Sequence, residues 1–452
     1  MIRRLHYHLA GNGLGATLLK SVGGATGVSM LGMAFTFLLG WQLARGLGAA
    51  GYGIYGVAMA VVSMLGVPSQ FGLPQLLTRE VAAANAVHDW GRLNGVVRWA
   101  LGAAIWSSIG ILALLIAWLV TAGPGLQSRL GNALLVGSLL VPLIAFGAMA
   151  AAILRGLLRI VYAQMLDGLM RPALHSAVLV VIIFFGITLT PAKALGAGVL
   201  AVAIAVAVGG FLIARSMPTA VYSAIPQMTP SQWRSSALPM ALTEGLRVVQ
   251  GQAAILVLSA MVSMADVGKF RVATSLMTLL VLPISVISLV TGPHVSRLAA
   301  IGDRRRLRVM LVYSARGMVA SVAVLLLPFV LAGNWLIENI FGLEYAGANR
   351  IFLMLAIGVL AYALFGAGAN ALNMLGHQKH VTRASLISVL VLCLLLWPAI
   401  VFWGNLGAAA AVSIASALWG VLLWQDIRRL EAMDIGAWAV AGGGSSLPRR
   451  GK

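Results

Sequence analysis

The sequence predicts an all-α polytopic membrane protein, with about 12 transmembrane helices in two pseudo-symmetric six-helix bundles and both termini cytoplasmic. Three observations carry this. Apolar runs of bilayer-spanning length recur along the chain, nearly every positive charge falls in alternate gaps between them, and the second half repeats landmarks of the first.

The apolar runs of the first half are residues 28–44, 54–77, 96–121, 133–154, 173–190 and 195–214. The second half continues with 240–262, 268–292, 309–333, 351–375, 384–403 and 406–425. Each approaches or exceeds the ~20 residues a helix needs to cross ~30 Å of hydrocarbon. Backbone hydrogen bonds in lipid must close within the segment, so helices are the expected spans. Hydrophobic residues make up 60% of the chain and charged residues 9%, with a mean hydropathy of +0.97, which excludes an ordinary soluble domain. The single cysteine, Cys393, excludes disulfides and cysteine metal sites within the chain.

The net charge of +20 raises the question of nucleic acid. The charge sits in short gaps between spans, however, with no basic domain to present it, so membrane topology and anionic headgroups account for it and no nucleic-acid partner is expected. With the N-terminus placed inside, only Arg45, Arg129, Lys193, Lys269, Arg271 and Arg350 of the 31 Lys and Arg fall in outer gaps. That bias puts both termini in the cytoplasm and makes the helix number even. The first 20 residues carry Arg3, Arg4 and Lys20 with no clean apolar segment and cleavage site, and read as a retained cytoplasmic start. The expected organisation is a six-helix bundle over 1–216, a cytoplasmic linker over 217–236, a second bundle over 237–430, and a cytoplasmic tail over 431–452 whose Gly/Ser-rich end is disordered.

An internal repeat supports the division. At an offset of 215, Gly53-Ile54-Tyr55 falls on Gly268-Lys269-Phe270 and Val67-Pro68 on Leu282-Pro283. At 220, Gly156 falls on Gly376 and Arg159 on Lys379; at 211, Leu195-Gly196-Ala197 falls on Leu406-Gly407-Ala408. Two halves of six helices share one orientation, an arrangement that places a substrate between them and works by rocking. Pro68 and Pro283, at equivalent places, each remove a backbone hydrogen bond and are the expected hinges.

The run Leu43-Ala44-Arg45-Gly46-Leu47-Gly48, then Gly51-Tyr52-Gly53-Ile54-Tyr55, Phe71-Gly72-Leu73-Pro74 and Thr78-Arg79-Glu80-Val81-Ala82, resembles the opening of polysaccharide biosynthesis membrane proteins. These are the O-antigen and capsule flippases of the multidrug/oligosaccharidyl-lipid/polysaccharide exporter superfamily. Leu154-Arg155-Gly156 and Val267-Gly268-Lys269-Phe270 look like later landmarks of that family. The resemblance implies a flippase in the bacterial inner membrane, moving undecaprenyl-diphosphate-linked oligosaccharide (an O-antigen, capsule or exopolysaccharide repeat unit of lipopolysaccharide-type pathways) from the cytoplasmic to the periplasmic leaflet. It also implies contact with membrane lipids and with a glycan polymerase. Two departures argue against a simple ion site: helix seven reads Gln250-Gly251-Gln252 where relatives often carry an Asp, and helix one has no acidic residue.

A substrate of that kind asks for arginines in a cavity, because a planar guanidinium matches phosphate oxygens in a bidentate way. Arg247 is the first candidate: Glu244, Arg247 and Gln250 recur every three positions as a polar stripe on an apolar helix. A charge inside a membrane normally faces a cavity or a partner. The plainer reading is a structural Glu244–Arg247 pair. Arg316, two turns into helix nine, and Arg79, at the end of helix two, are the further diphosphate candidates; Arg79 with Glu80 also reads as a gate that closes by ion pairing. Arg155, Arg159 and Arg171, with Asp167 and Gln164, surround the loop after helix four, where they are placed to meet the diphosphate first, although solvated loop charges are the plainer reading. Gln70, Gln75, Gln250, Asn370 and Asn373 are candidates for sugar hydroxyls, although amides also join helices. Trp41, Trp99, Trp335 and Trp403 fall at span ends, as in an aromatic belt.

No cofactor and no metal are expected, the seven His residues showing no ligand spacing. Three energy sources stay open: a proton gradient through Glu244, a sodium gradient, and the membrane potential acting on a basic cavity. The alternatives in function are a cation-coupled multidrug antiporter of the same superfamily and, less well matched, a membrane enzyme acting on lipid-linked sugars. The enzyme reading lacks a large outer loop and paired carboxylates, so a transporter rather than an enzyme is expected.

Overall fold

A computed structural model describes residues 14–440, without the side chains of 14–23, 25, 26 and 293. Arg3, Arg4, Arg449, Arg450, Lys452 and the tail from Ala441 lie outside the described residues, as does the side chain of Lys20. The first half holds α1 (Leu14–Gln70), α2 (Leu73–Ala86), α3 (Trp90–Thr121), α4 (Arg129–Ser138), α5 (Leu140–Gly156) and α6 (Ile160–Gln164). A π-helical turn, Met165–Met170, then leads into α7 (Arg171–Phe184), followed by α8 (Pro191–Ser216) and the short α9 (Thr219–Ser223). Next come α10 (Pro230–Met261), α11 (Met264–Ala300), α12 (Arg304–Phe341), a 3-10 turn at Leu343–Tyr345, α13 (Ala348–Leu364), α14 (Gly368–Met374) and α15 (Gln378–Glu431).

Among the described residues, eight helices are long and apolar enough to cross a membrane, and α13 with α14, bent by 42°, makes a ninth. Two of the eight are double. Gly48 (φ 68, ψ 171) interrupts α1 and Gly404 (φ 54, ψ −131) interrupts α15, conformations that glycine alone takes at little cost. In α15 the chain turns back on itself. Ser388 Oγ donates to the carbonyl of Ala415 at 2.8 Å, Arg383 pairs with Asp426 at 2.7 Å, and Gly407 lies so close to the Ala399 carbonyl that a Cβ would overlap it. The two breaks raise the number to eleven, and the less apolar α10, which carries Glu244 and Arg247, is the twelfth. α12 is kinked at Ala332 (φ −139, ψ 26); at 1.5 Å per residue the stretch 304–331 before the kink is about 42 Å long, so it must project beyond a ~30 Å hydrocarbon core.

Two compact units emerge: one gathers the chain to Leu47 with Ala58–Val248, the other Gly48–Val57 with the chain from Val249. These divisions depart from the expected bundle limits at 216 and 237. Residues 217–236 are not a free linker. Gln227 N–H donates to the Gly91 carbonyl at 3.0 Å, Asn94 Nδ2 donates to Ala224 at 2.9 Å, and Trp233 is buried in the first unit's core against Trp99, ring centroids 5.4 Å apart. That core joins Leu73, Leu76, Leu77 and Val81 of α2 to Leu93 and Val96 of α3. In the second unit, Val295, Leu307, Leu311, Leu372 and Ile427 form the corresponding core. The tail expected from residue 431 is docked as far as Val440: Ala437 N–H donates to the Leu364 carbonyl at 2.9 Å and Trp424 Nε1 to Asp434 at 2.9 Å.

The repeat is visible in the caps. Asp89 accepts the N–H of Arg92, and Asp303 that of Arg306, each at 3.0 Å and each after a left-handed residue, His88 (φ 58) and Gly302 (φ 71). α5 and α14 are both followed by a left-handed turn, at Leu158 (φ 60) and Gly376 (φ 84), and by matching hydrogen bonds of 2.8 Å from Arg159 to Leu154 and from His377 to Leu372. These positions differ by 218, which corrects the offset of 220 expected from Gly156 and Gly376. Pro68 and Pro283 both lie inside helices. The break of helix two falls three residues after Pro68, at Phe71 (φ 43) and Gly72 (φ 69), whereas α11 runs through Pro283 with helical backbone.

Candidate functional site

The break at Phe71–Gly72 opens one side of the first unit. Gln70 ends α1, and Pro74, Gln75 and Thr78 occupy the first turns of α2. Together with Ser63 and Gly66 of α1, Ala148 and Arg155 of α5, Asp167, Arg171, and Glu244 and Arg247 of α10, they line a cavity of about 640 Å³. A helix that runs straight on would fill this space with its own next turn. The cavity is thus a consequence of Gly72, where a Cβ would overlap the Ala237 carbonyl at the same point.

The second structural device is the π-helical turn that carries Asp167. Pro172 has no N–H to offer the carbonyl of Gly168 four residues earlier, so the regular ladder cannot close there and a wider turn takes its place. The freed carbonyl faces Gly32 of α1, where a side chain would collide with it. Two glycines and a proline therefore fix the backbone that presents Asp167 and Arg171.

Charge in the cavity is paired but unbalanced. Asp167 lies 3.5 Å from Arg155 and 3.9 Å from Arg171. Arg247 forms a close ion pair with Glu244 through Nε and Nη2, while its side chain stays 74% exposed to the open space. Three arginines face two carboxylates, and Gln70, Gln75, Ser63 and Thr78 supply neutral hydrogen-bonding groups around them.

Of the residues chosen from sequence, the structure brings Arg247, Glu244, Gln70 and Gln75 together. Arg155, Asp167 and Arg171, for which solvated loop duty is the plainer of two readings, line the cavity; the available signal was the i, i+4 spacing of Asp167 and Arg171. Gln250 falls in the second unit and is not among the lining residues. Asn373 is exposed, and Asn370 donates to the Ser288 carbonyl at 2.7 Å, joining helices.

Arg316 and Arg79, expected at the diphosphate, are engaged elsewhere. Arg316 donates to the carbonyls of Ala437 (3.0 Å) and Ala439 (3.1 Å), holding the C-terminal segment. Arg79 donates to Glu80 at 2.9 Å, and Arg92 donates to the other oxygen of Glu80 at 2.6 Å, so this carboxylate pins α2 to α3. Burial pushes the Glu80 carboxyl up, but the hydrogen bonds and charges of Arg92 and Arg79 outweigh it and hold it below its ordinary range.

Apolar helices of spanning length in both units, with an arginine-lined cavity in the first, define a multi-pass membrane protein, and solved structures share its fold. The chain is similar to an inward-facing multidrug-resistance MATE-family transporter of the MOP superfamily (TM-score 0.72, 13% identity, covering 90% of this chain and 98% of that one). It is similar also to the lipid II flippase MurJ in an inward closed conformation (TM-score 0.70, 12% identity, 89% and 87% covered). A MOP-superfamily transporter from Pyrococcus furiosus matches as well (TM-score 0.63, 13% identity, 90% and 95% covered). No curated protein matches by sequence. The family described as polysaccharide biosynthesis protein matches residues 18–299, and the chain belongs to it.

Proposed function

We propose that this protein is a flippase that carries undecaprenyl-diphosphate-linked oligosaccharide from the cytoplasmic to the periplasmic leaflet of the bacterial inner membrane by alternating access. The observation that carries this reading is the excess of arginine in the cavity. Arg155, Arg171 and Arg247 line one cavity with only Asp167 and Glu244 as its carboxylates, and charges placed inside a membrane protein normally face a cavity or a partner. A diphosphate offers paired oxygens to such groups, and charge-assisted bonds of this kind are about twice as strong as neutral ones. Gln70, Gln75, Ser63 and Thr78 suit the hydroxyls of a sugar next to the diphosphate.

Membership of the polysaccharide biosynthesis family supports the same substrate class. The MATE-like fold keeps a cation-coupled antiporter in view, but a cavity with more arginine than carboxylate repels a cationic drug. Proton, sodium and membrane-potential coupling are all compatible with the proposal, as is a partnership with a glycan polymerase. The deciding experiment reconstitutes the protein in liposomes with a lipid-linked oligosaccharide and follows access of a membrane-impermeant sugar-modifying reagent. Faster transbilayer exposure than in protein-free liposomes supports flipping; unchanged exposure with folded protein and cognate glycan moves the assignment to a small-molecule antiporter.

A further inference from the structure

Asp167 occupies the place among the arginines that an anionic ligand needs. We propose that its carboxylate is a built-in stand-in for substrate phosphate, neutralising Arg155 and Arg171 while the cavity is empty and yielding them when a diphosphate enters. The inference rests on the reading of this cavity as the diphosphate site.

Three features distinguish Asp167 from an ordinary structural partner. Its ion pairs are long, 3.5 Å to Arg155 and 3.9 Å to Arg171, a little beyond Arg304–Glu431 at 3.4 Å and Arg306–Asp303 at 3.3 Å and well beyond Arg383–Asp426 and Arg92–Glu80 at 2.7 and 2.6 Å. Tight charge-assisted N–H···O bonds measure about 2.7–2.9 Å, so the Asp167 pairs are loose enough to exchange. Its position does not depend on those pairs, because the π-helical turn is set by Pro172 and by the contact of Gly168 with Gly32. And it is central: it faces both Arg155 and Arg171, while Glu244 pairs with Arg247.

A carrier needs such a group. Three arginines with one remaining carboxylate would hold any polyanion tightly, and release on the far side would become the slow step. With Asp167 fixed in place, arriving phosphate exchanges one anion for another, and the carboxylate re-forms its pairs as the ligand leaves. Affinity is lowered and turnover is raised.

The test uses inorganic pyrophosphate as the probe, titrated by calorimetry into the full-length protein in nanodiscs. Removal of a charge ~4–6 Å away moves an ionic equilibrium by about one to three powers of ten. Asp167→Asn is therefore expected to bind pyrophosphate at least about tenfold tighter, while Asp167→Glu, which keeps the charge, stays near the unmodified protein. Arg155→Gln and Arg171→Gln weaken binding. In the liposome assay Asp167→Asn lowers KM and lowers turnover together, a split that simple loss of structure does not produce. If Asp167→Asn does not fold, Asp167→Ser carries the same comparison.

Pyrophosphate binding by the unmodified protein that is unchanged or weakened in Asp167→Asn overturns the stand-in role and leaves the diphosphate site standing. No binding by any variant, Asp167→Asn included, overturns both.

Discussion

The guanidinium of Arg316 donates through Nε to the carbonyl oxygen of Ala437, 3.0 Å away and 121 residues further along the chain. A second bond, from Nη2 to Ala439, completes a clamp on the segment after α15. The acceptors are neutral carbonyls, and the segment they belong to also caps the break between α13 and α14 through Ala437 N–H and Leu364. Arg316→Ala is accordingly expected to free residues 432–440 while leaving the proposed flipping activity largely intact. Hydrogen bonds to a charged group are worth ~1.5–3 kcal/mol when buried, and the partial exposure here lowers the expected loss to about 1–2 kcal/mol. Hydrogen exchange of Ala437 and Ala439 should rise sharply in the variant; unchanged protection there would remove the clamp.

Arg247 stands in the opposite position, with its side chain open to the cavity and one local carboxylate as partner. Arg247→Ala should abolish the proposed flipping activity while expression and thermal stability stay near normal, because an exposed i, i+3 pair contributes only ~0.3–0.5 kcal/mol. Arg247→Lys should restore part of the rate, since an ammonium keeps the charge and loses the bidentate geometry. Leaflet-access rates of the two variants in liposomes check this, and normal export by Arg247→Ala removes Arg247 from the diphosphate site.

These two arginines mark how much of the molecule is legible in its sequence. The spans, the repeat and the Glu244–Arg247 stripe depend on local period and composition, and the chain displays them directly. The partners of Arg316 come from a segment 121 residues distant, which no local pattern announces. Nor does one announce the break of helix two: Pro68 marks the vicinity, but the left-handed residues are Phe71 and Gly72, and the cavity follows from them. Arg155 and Asp167 look like loop charges because they flank a helix end. Only the π-helical turn, arising from Pro172 and the packing of Gly32 on Gly168, turns Asp167 inward.

Gly404 makes a separate prediction about folding. Its backbone (φ 54, ψ −131) lies where a Cβ is strained, and it reverses the chain between two spans. Gly404→Ala is expected to cost of order 1–3 kcal/mol and to lower the melting temperature. Gly102, inside α3 with open space around it, is the control: Gly102→Ala should be neutral or stabilising by about 0.5–1 kcal/mol, because alanine is the better helix former. Equal melting temperatures for the two variants would show that the reversal does not depend on the glycine.

Glu80 couples the α2–α3 junction to pH. Its side chain is 6% exposed and accepts from Nε and Nη2 of two guanidiniums, Arg79 on one oxygen and Arg92 on the other. Its folded-state value lies below the ordinary 4.5. A depressed carboxyl stabilises the fold above its unfolded value and loses that contribution as pH falls through the folded one. Stability from this group is therefore complete above roughly pH 5 and declines on acidification below about 4.5. Glu80→Gln removes the charge at every pH and leaves Arg92 with a weaker acceptor, so it should destabilise the protein by about 1–3 kcal/mol near neutrality. The gap between the variant and the unmodified protein should narrow as the pH is lowered from 6 to 3.5. Melting temperatures of the two proteins across that range decide the matter, and a gap that stays constant shows that the carboxylate charge is not what holds α2 to α3.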